Sequence, residues 1–81
     1  MDISYSKSAV KAIASMNKKT KLRIKEAIEG IPAGDIKPLR GSSSLYRLRV
    51  GNWRIVFSYP RDGALLIQRI APRGDVYKGG L

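Results

Sequence analysis

The stretch Y-R-L-R-V-G-N-W-R-I-V-F-S-Y, Tyr46 to Tyr59, constrains the fold of this chain more than any other. Apolar and polar residues alternate on both sides of Gly51-Asn52, the pattern of a β-hairpin closed by a tight two-residue turn. The turn sets a register in which Val50 faces Trp53, Arg49 faces Arg54, Leu48 faces Ile55, Arg47 faces Val56 and Tyr46 faces Phe57. Successive side chains point to opposite faces of a strand. One face therefore carries Tyr46, Leu48, Val50, Trp53, Ile55 and Phe57, and needs a covering layer. The other carries Arg47, Arg49 and Arg54 around Val56. Like charges opposite one another destabilise paired strands. With no carboxylate nearby in sequence, the pattern predicts that an anion such as phosphate completes this face.

The charge balance points the same way. Sixteen basic residues stand against six acidic ones, a net charge of +10. Such an excess favours polyanionic partners, nucleic acid first. Between Ile36 and Arg61 there is no Asp or Glu, while Lys37, Arg40, Arg47, Arg49, Arg54 and Arg61 all fall there. Arg40 reads either as a guide for an RNA backbone or as a surface loop cation. Arg69 reads as a fourth cation of the sheet face or as a solvent-facing residue. Lys18, Lys19, Lys21, Arg23 and Lys25 load the start of a helix with charge that its dipole disfavours. They read as a solvated face or as a second patch for nucleic acid or an acidic partner.

The rest of the chain surrounds this hairpin. Asp2 to Tyr5 is a short first strand, and Ser6 caps a helix from about Lys7 to Met16 with Ala9, Val10, Ile13 and Ala14 on one side. A second helix runs from about Lys19 to Glu29, with Ile24, Ala27, Ile28 and Ile31 as its apolar stripe. Gly30 and Pro32 end it. Ile31 to Ser44 reads as an irregular connection, because it holds two prolines, two glycines and three consecutive serines. Ala64 to Ala71 is apolar enough for an inner strand, and Val76-Tyr77 resumes it briefly. The order is β-α-α-β-β-β, an α+β fold of two helices on an antiparallel sheet, in one domain over residues 1–81.

Several chemistries lack their residues. The chain has no cysteine and no histidine, so it has neither thiolate metal ligands nor the usual neutral-pH acid/base group. No cofactor or metal is expected. A reducing cytoplasm is the expected setting. No apolar run approaches the roughly 20 residues of a membrane span, and the N-terminus lacks a signal-like apolar core. RNA can be cleaved without a metal, since its 2′-hydroxyl can attack the adjacent phosphate. The protein then has to orient the backbone and stabilise phosphoryl charge. Arg47, Arg49, Arg54 and Arg73 are the candidates for that work. Tyr77 is the candidate for proton transfer, or for stacking on a base.

L-R-G at Leu39 to Gly41, Y-R-L-R-V-G-N-W-R-I-V-F, and R-I-A-P-R-G-D-V-Y together resemble the RelE/ParE superfamily of bacterial toxins. The resemblance covers nearly the whole chain. It implies a toxin of a type II toxin–antitoxin pair. In the RelE branch such a toxin is a ribosome-dependent endoribonuclease that cuts mRNA in the A site by 2′-hydroxyl attack. It implies catalytic roles for Arg47, Arg49, Arg54, Arg73 and Tyr77, with Lys37, Arg40 and Arg69 as further RNA contacts. Arginine stands at 47 and 49 where RelE usually has lysine, and Pro72 stands where many relatives have histidine. The implied partners are an acidic antitoxin that masks the basic site and mRNA in the ribosome. Operator DNA is bound only by the toxin–antitoxin complex, and no membrane is involved. The ParE branch, which poisons DNA gyrase, is the alternative. A catalytically silent basic module acting in antitoxin-bound repression is a third reading.

Overall fold

The computed structural model describes residues 2–41 and 44–72. In chain order its elements are β1 (Asp2–Tyr5), α1 (Lys7–Ala14), α2 (Lys18–Glu29), β2 (Asp35–Pro38), β3 (Tyr46–Val50), β4 (Trp53–Ser58) and β5 (Ala64–Pro72). The strands form one five-stranded sheet in the order β1-β5-β4-β3-β2. The sheet is mixed. β1 runs parallel to β5, and the remaining pairs are antiparallel.

The hairpin has the expected register at all five positions, from Val50 opposite Trp53 to Tyr46 opposite Phe57. Gly51 has φ +59, and no non-glycine residue among those described has positive φ. A positive φ at the first turn residue alone is the sign pattern of a type II′ turn, whose twist matches that of the flanking strands. The Gly51 turn also passes close under Arg23 of α2. A Cβ at residue 51 would lie 3.2 Å from the Arg23 guanidinium nitrogens.

Both helices cover one sheet face. Ala9, Ile24, Ile28 and Ile31 join Leu48, Val50, Ile55, Phe57, Leu65, Ile67 and Ile70 in the main core, with Tyr46 and Trp53 packed against it. Tyr46 stacks on Phe57 with ring centroids 5.7 Å apart. Of the three aromatics on the apolar hairpin face, Phe57 is in the core and Tyr46 and Trp53 pack against it. The α2 stripe is buried as its spacing predicts. In α1, Ala9 is buried while Val10 is exposed, so the covered side of that helix is narrower than its sequence pattern. Each helix has a side-chain cap: Ser6 Oγ accepts from Ala9 N at 3.1 Å, and Asn17 Oδ1 from Thr20 N at 2.8 Å.

Besides the parallel β1–β5 pair in a sheet expected to be antiparallel, two features go beyond the sequence reading. Asp35–Pro38, expected as loop, is the edge strand β2. An edge strand tolerates proline because its outer hydrogen-bonding side has no partner to satisfy. Gly34, at φ +116, admits the chain to this edge, since a Cβ there would meet Leu48 Cδ1 at 3.0 Å. The second feature is a bulge. Val56 pairs with Arg69 but Phe57 pairs with Ile67, so Gln68 is the extra residue. The bulge lets Ile67 and Ile70 both enter the helix-side core. Ser6 locks it: its N–H donates to the Ile67 carbonyl at 2.9 Å and its Oγ to the Gln68 carbonyl at 2.6 Å.

Candidate functional site

The face of the sheet away from the helices is built from two cross-strand rows. Residues directly paired across strands project to the same side. The first row runs Lys37, Arg47, Val56, Arg69, and the second runs Asp35, Arg49, Arg54, Ala71. The bulge fixes the orientation of Arg69, which the sequence leaves open: it joins the arginine face. Arg40 lies exposed just beyond β2. Arg73 and Tyr77 lie outside the described residues.

Among the described residues this face therefore brings five cations together with one carboxylate. A small apolar patch of Leu39, Val56 and Ala71, with Leu45 against it, forms its floor. Arg54 is only 7% exposed, and its one hydrogen bond among the described residues is from Nη1 to the carbonyl of Trp53 at 3.3 Å. A guanidinium has five N–H donors. A donor withdrawn from water without a partner is costly unless an anion completes it. The Arg47 side chain is 11% exposed, and its buried Nη1 has no hydrogen-bond partner among the described residues. The strongest anion-seeking groups are thus the least exposed ones.

Asp35 corrects the expectation that no carboxylate serves this face. Its Oδ2 accepts from Arg49 Nε at 2.6 Å and lies 2.6 Å from Arg49 Nη2. Its Oδ1 lies 3.7 Å from Arg47 Nη1. The hydrogen bond from Arg49, with the charges of Arg49, Arg47 and Lys37, holds the Asp35 carboxyl below its ordinary range. Sequence reasoning missed Asp35 because the segment around it is rich in proline and glycine. The signal available was the alternation Asp35-Ile36-Lys37, a polar-apolar-polar triplet of strand period.

On the opposite side, α1 and α2 border an open groove of about 300 Å³ lined by Tyr5, Val10, Ile13, Ala14, Lys21 and Lys25. Lys7 and Lys11 edge a neighbouring hollow that shares Tyr5 and Val10. Burial and the nearby charge of Glu29 push the Tyr5 phenol up from its ordinary value. This floor is apolar and its rim is basic.

The model of the ParE toxin of type II toxin–antitoxin systems (parDE) matches residues 3–77. The chain belongs to this toxin family. Solved structures of RelE toxins share its fold. It is 26% identical to a chain of the RelB–RelE antitoxin–toxin complex from Methanococcus jannaschii, covering 96% of this chain and 99% of that one, with a TM-score of 0.76. A chain of the archaeal RelE–RelB complex from Pyrococcus horikoshii OT3 is 28% identical over 91% of this toxin and 96% of the other chain, with a TM-score of 0.70. The intact RelBE complex from E. coli contributes a likeness of fold alone: 16% identity, 91% and 96% coverage, TM-score 0.66. No curated protein matches this toxin. Its membership of the RelE/ParE superfamily, with two helices on a five-stranded mixed sheet, agrees with the resemblance carried by its hairpin. No helix among the described residues is long and apolar enough to cross a membrane.

Proposed function

We propose that this type II toxin is a ribosome-dependent endoribonuclease whose arginine face grips the mRNA backbone. The observation that carries the reading is the pair of little-exposed arginines, Arg47 and Arg54, the first with a buried Nη1 that has no hydrogen-bond partner among the described residues, with Arg49 and Arg69 on the same face. A backbone phosphate supplies what these groups lack: negative charge and several acceptor oxygens at once. In the reaction the RNA 2′-oxygen attacks the adjacent phosphorus and the bond to the 5′-oxygen breaks, leaving a 2′,3′-cyclic phosphate. The 2′-hydroxyl loses a proton and the departing 5′-oxygen gains one. Arg47, Arg49 and Arg54 stabilise the phosphoryl oxygens as charge builds. In this proposal Arg73 and Tyr77 complete the site, Tyr77 by stacking on a base or moving a proton. Lys37, Arg40 and Arg69 extend the contact along the RNA.

The partner in this reading is an acidic antitoxin, as the RelB–RelE complexes among the similar structures support. The groove between α1 and α2 suits it, since an apolar floor under Lys7, Lys11, Lys21 and Lys25 accepts an acidic amphipathic segment. Operator DNA would be bound by the pair and not by the toxin alone. The matching ParE model supports a second reading, inhibition of DNA gyrase. Purified toxin added to ribosomes programmed with a defined mRNA, and separately to a gyrase supercoiling reaction, decides between them. The proposal expects cuts within the A-site codon and undisturbed supercoiling. Intact mRNA with blocked supercoiling would replace it with the gyrase reading, and no effect in either assay would leave a silent repressor module.

A further inference from the structure

The one carboxylate that the described residues place on the arginine face lies where a phosphate would compete with it. Asp35 sits on the edge strand, opposite Arg49 in register. Its Oδ2 takes both Nε and Nη2 of Arg49, each at 2.6 Å. That edge of a guanidinium is one of those with which arginine grips carboxylate and phosphate in two-pronged pairs. It is occupied here. The second oxygen, Oδ1, faces Arg47 Nη1 at 3.7 Å, too far for a hydrogen bond, and Nη1 is the buried atom left without a partner. One carboxylate thus spans two arginines and satisfies only one of them.

We infer that Asp35 is a resident substitute for an RNA phosphate, holding the Arg49 fork until a phosphodiester displaces it. The inference rests on the reading of this face as an RNA site. A phosphodiester brings the same single negative charge on a larger set of oxygens, so it can fill the Arg49 fork and reach Arg47 Nη1 together. The exchange is physically easy. Both partners are well exposed, Asp35 at 37% and Arg49 at 49%, and exposed ion pairs contribute little net stability because water competes for both ends. Lys37, Arg47, Arg49, Arg54 and Arg69 are the charged groups on this face with it. Displacing Asp35 leaves its charge near the incoming RNA. A ligand that presents several phosphates at once overcomes that opposition, and a lone phosphate does so poorly. Asp35 therefore biases the face toward an extended RNA strand.

The test is binding of a labelled oligouridylate to the purified protein across a salt series, for wild type, Asp35→Asn and Asp35→Asn with Arg49→Gln. Freeing one phosphate contact steepens the dependence of log K on log salt by about 0.7, which amounts to about fivefold tighter binding at 0.1 M salt. Asp35→Asn is expected to show that gain, and Arg49→Gln to cancel it. Thermal melts establish that each variant is folded. Unchanged affinity and slope in Asp35→Asn would overturn the inference while leaving the RNA site standing. Weaker binding would also overturn it, making Asp35 a support that holds Arg49 in place. Absence of salt-dependent binding in wild type and Asp35→Asn alike would remove the RNA reading of the face, and this inference with it.

Discussion

The two faces of the β3–β4 hairpin share one backbone and one turn, yet they solve opposite problems. On the helix side, Leu48, Val50, Ile55 and Phe57 are buried in one apolar cluster with the isoleucines of α2. On the other side, Arg47 and Arg54 are almost as deeply withdrawn, but around Leu39, Val56 and Ala71 and with few polar partners. The first face lowers the free energy of folding by removing apolar surface from water. The second gives back part of that gain, because a cation withdrawn from water with incomplete pairing is unfavourable. The comparison separates residues that hold the sheet from residues the sheet holds in readiness.

Breaking the apolar face has the largest effect. Phe57 is fully buried and stacks on Tyr46, so Phe57→Ala is expected to cost about 3–5 kcal/mol. A urea melt followed by circular dichroism would show the midpoint collapsing, and activity would disappear only because the fold does. Arg54→Met should behave in the opposite way. Replacing a buried, poorly paired charge by an apolar side chain is often neutral or stabilising, so the melt should hold or improve. Cleavage of ribosome-bound mRNA should nevertheless fall by about 10²–10³-fold, the usual loss when a donor to developing oxyanion charge is removed. A variant that loses stability along with activity would erase the distinction between the faces.

A third change tests how the two faces are kept in register. Ser6 caps α1 and also donates to the Gln68 carbonyl at the bulge that turns Arg69 to the arginine side. Ser6→Ala is expected to cost about 0.5–2 kcal/mol, read as a shifted denaturation midpoint. The smallest effect is a pH dependence. The carboxyl of Asp35 is held below its ordinary value of 3.8 by Arg49, so its ionised form is favoured in the folded chain. Its stabilising contribution is present above that value and is lost as the pH falls through the lower folded one. The stability difference between wild type and Asp35→Asn should therefore be visible at neutral pH and vanish in strong acid.

The hairpin was legible in the sequence because side-chain alternation and a Gly-Asn turn specify register without help from distant residues. Its five pairings and the α2 stripe follow from local pattern. What was not legible depends on tertiary pairing. Asp35–Pro38 becomes a strand only because β3 offers it an edge, and its Asp-Ile-Lys alternation is too short to outweigh the prolines and glycines around it. The parallel pairing of β1 with β5 has no local signature. Arg69 could not be oriented because a single bulged residue, Gln68, reverses the facing of everything beyond it. For the site, the charges of Arg47, Arg49 and Arg54 were readable, but the carboxylate that meets two of them lies 14 residues away from Arg49 in sequence and becomes its neighbour only in the folded sheet.

The central claim is that the arginine face cuts translated mRNA. Primer extension on mRNA from cells shortly after induction, with and without translation blocked, tests it most directly. The account predicts cuts inside translated codons that disappear when translation stops and that Arg54→Met abolishes. Growth arrest with intact mRNA, equally strong in wild type and Arg54→Met, would contradict it.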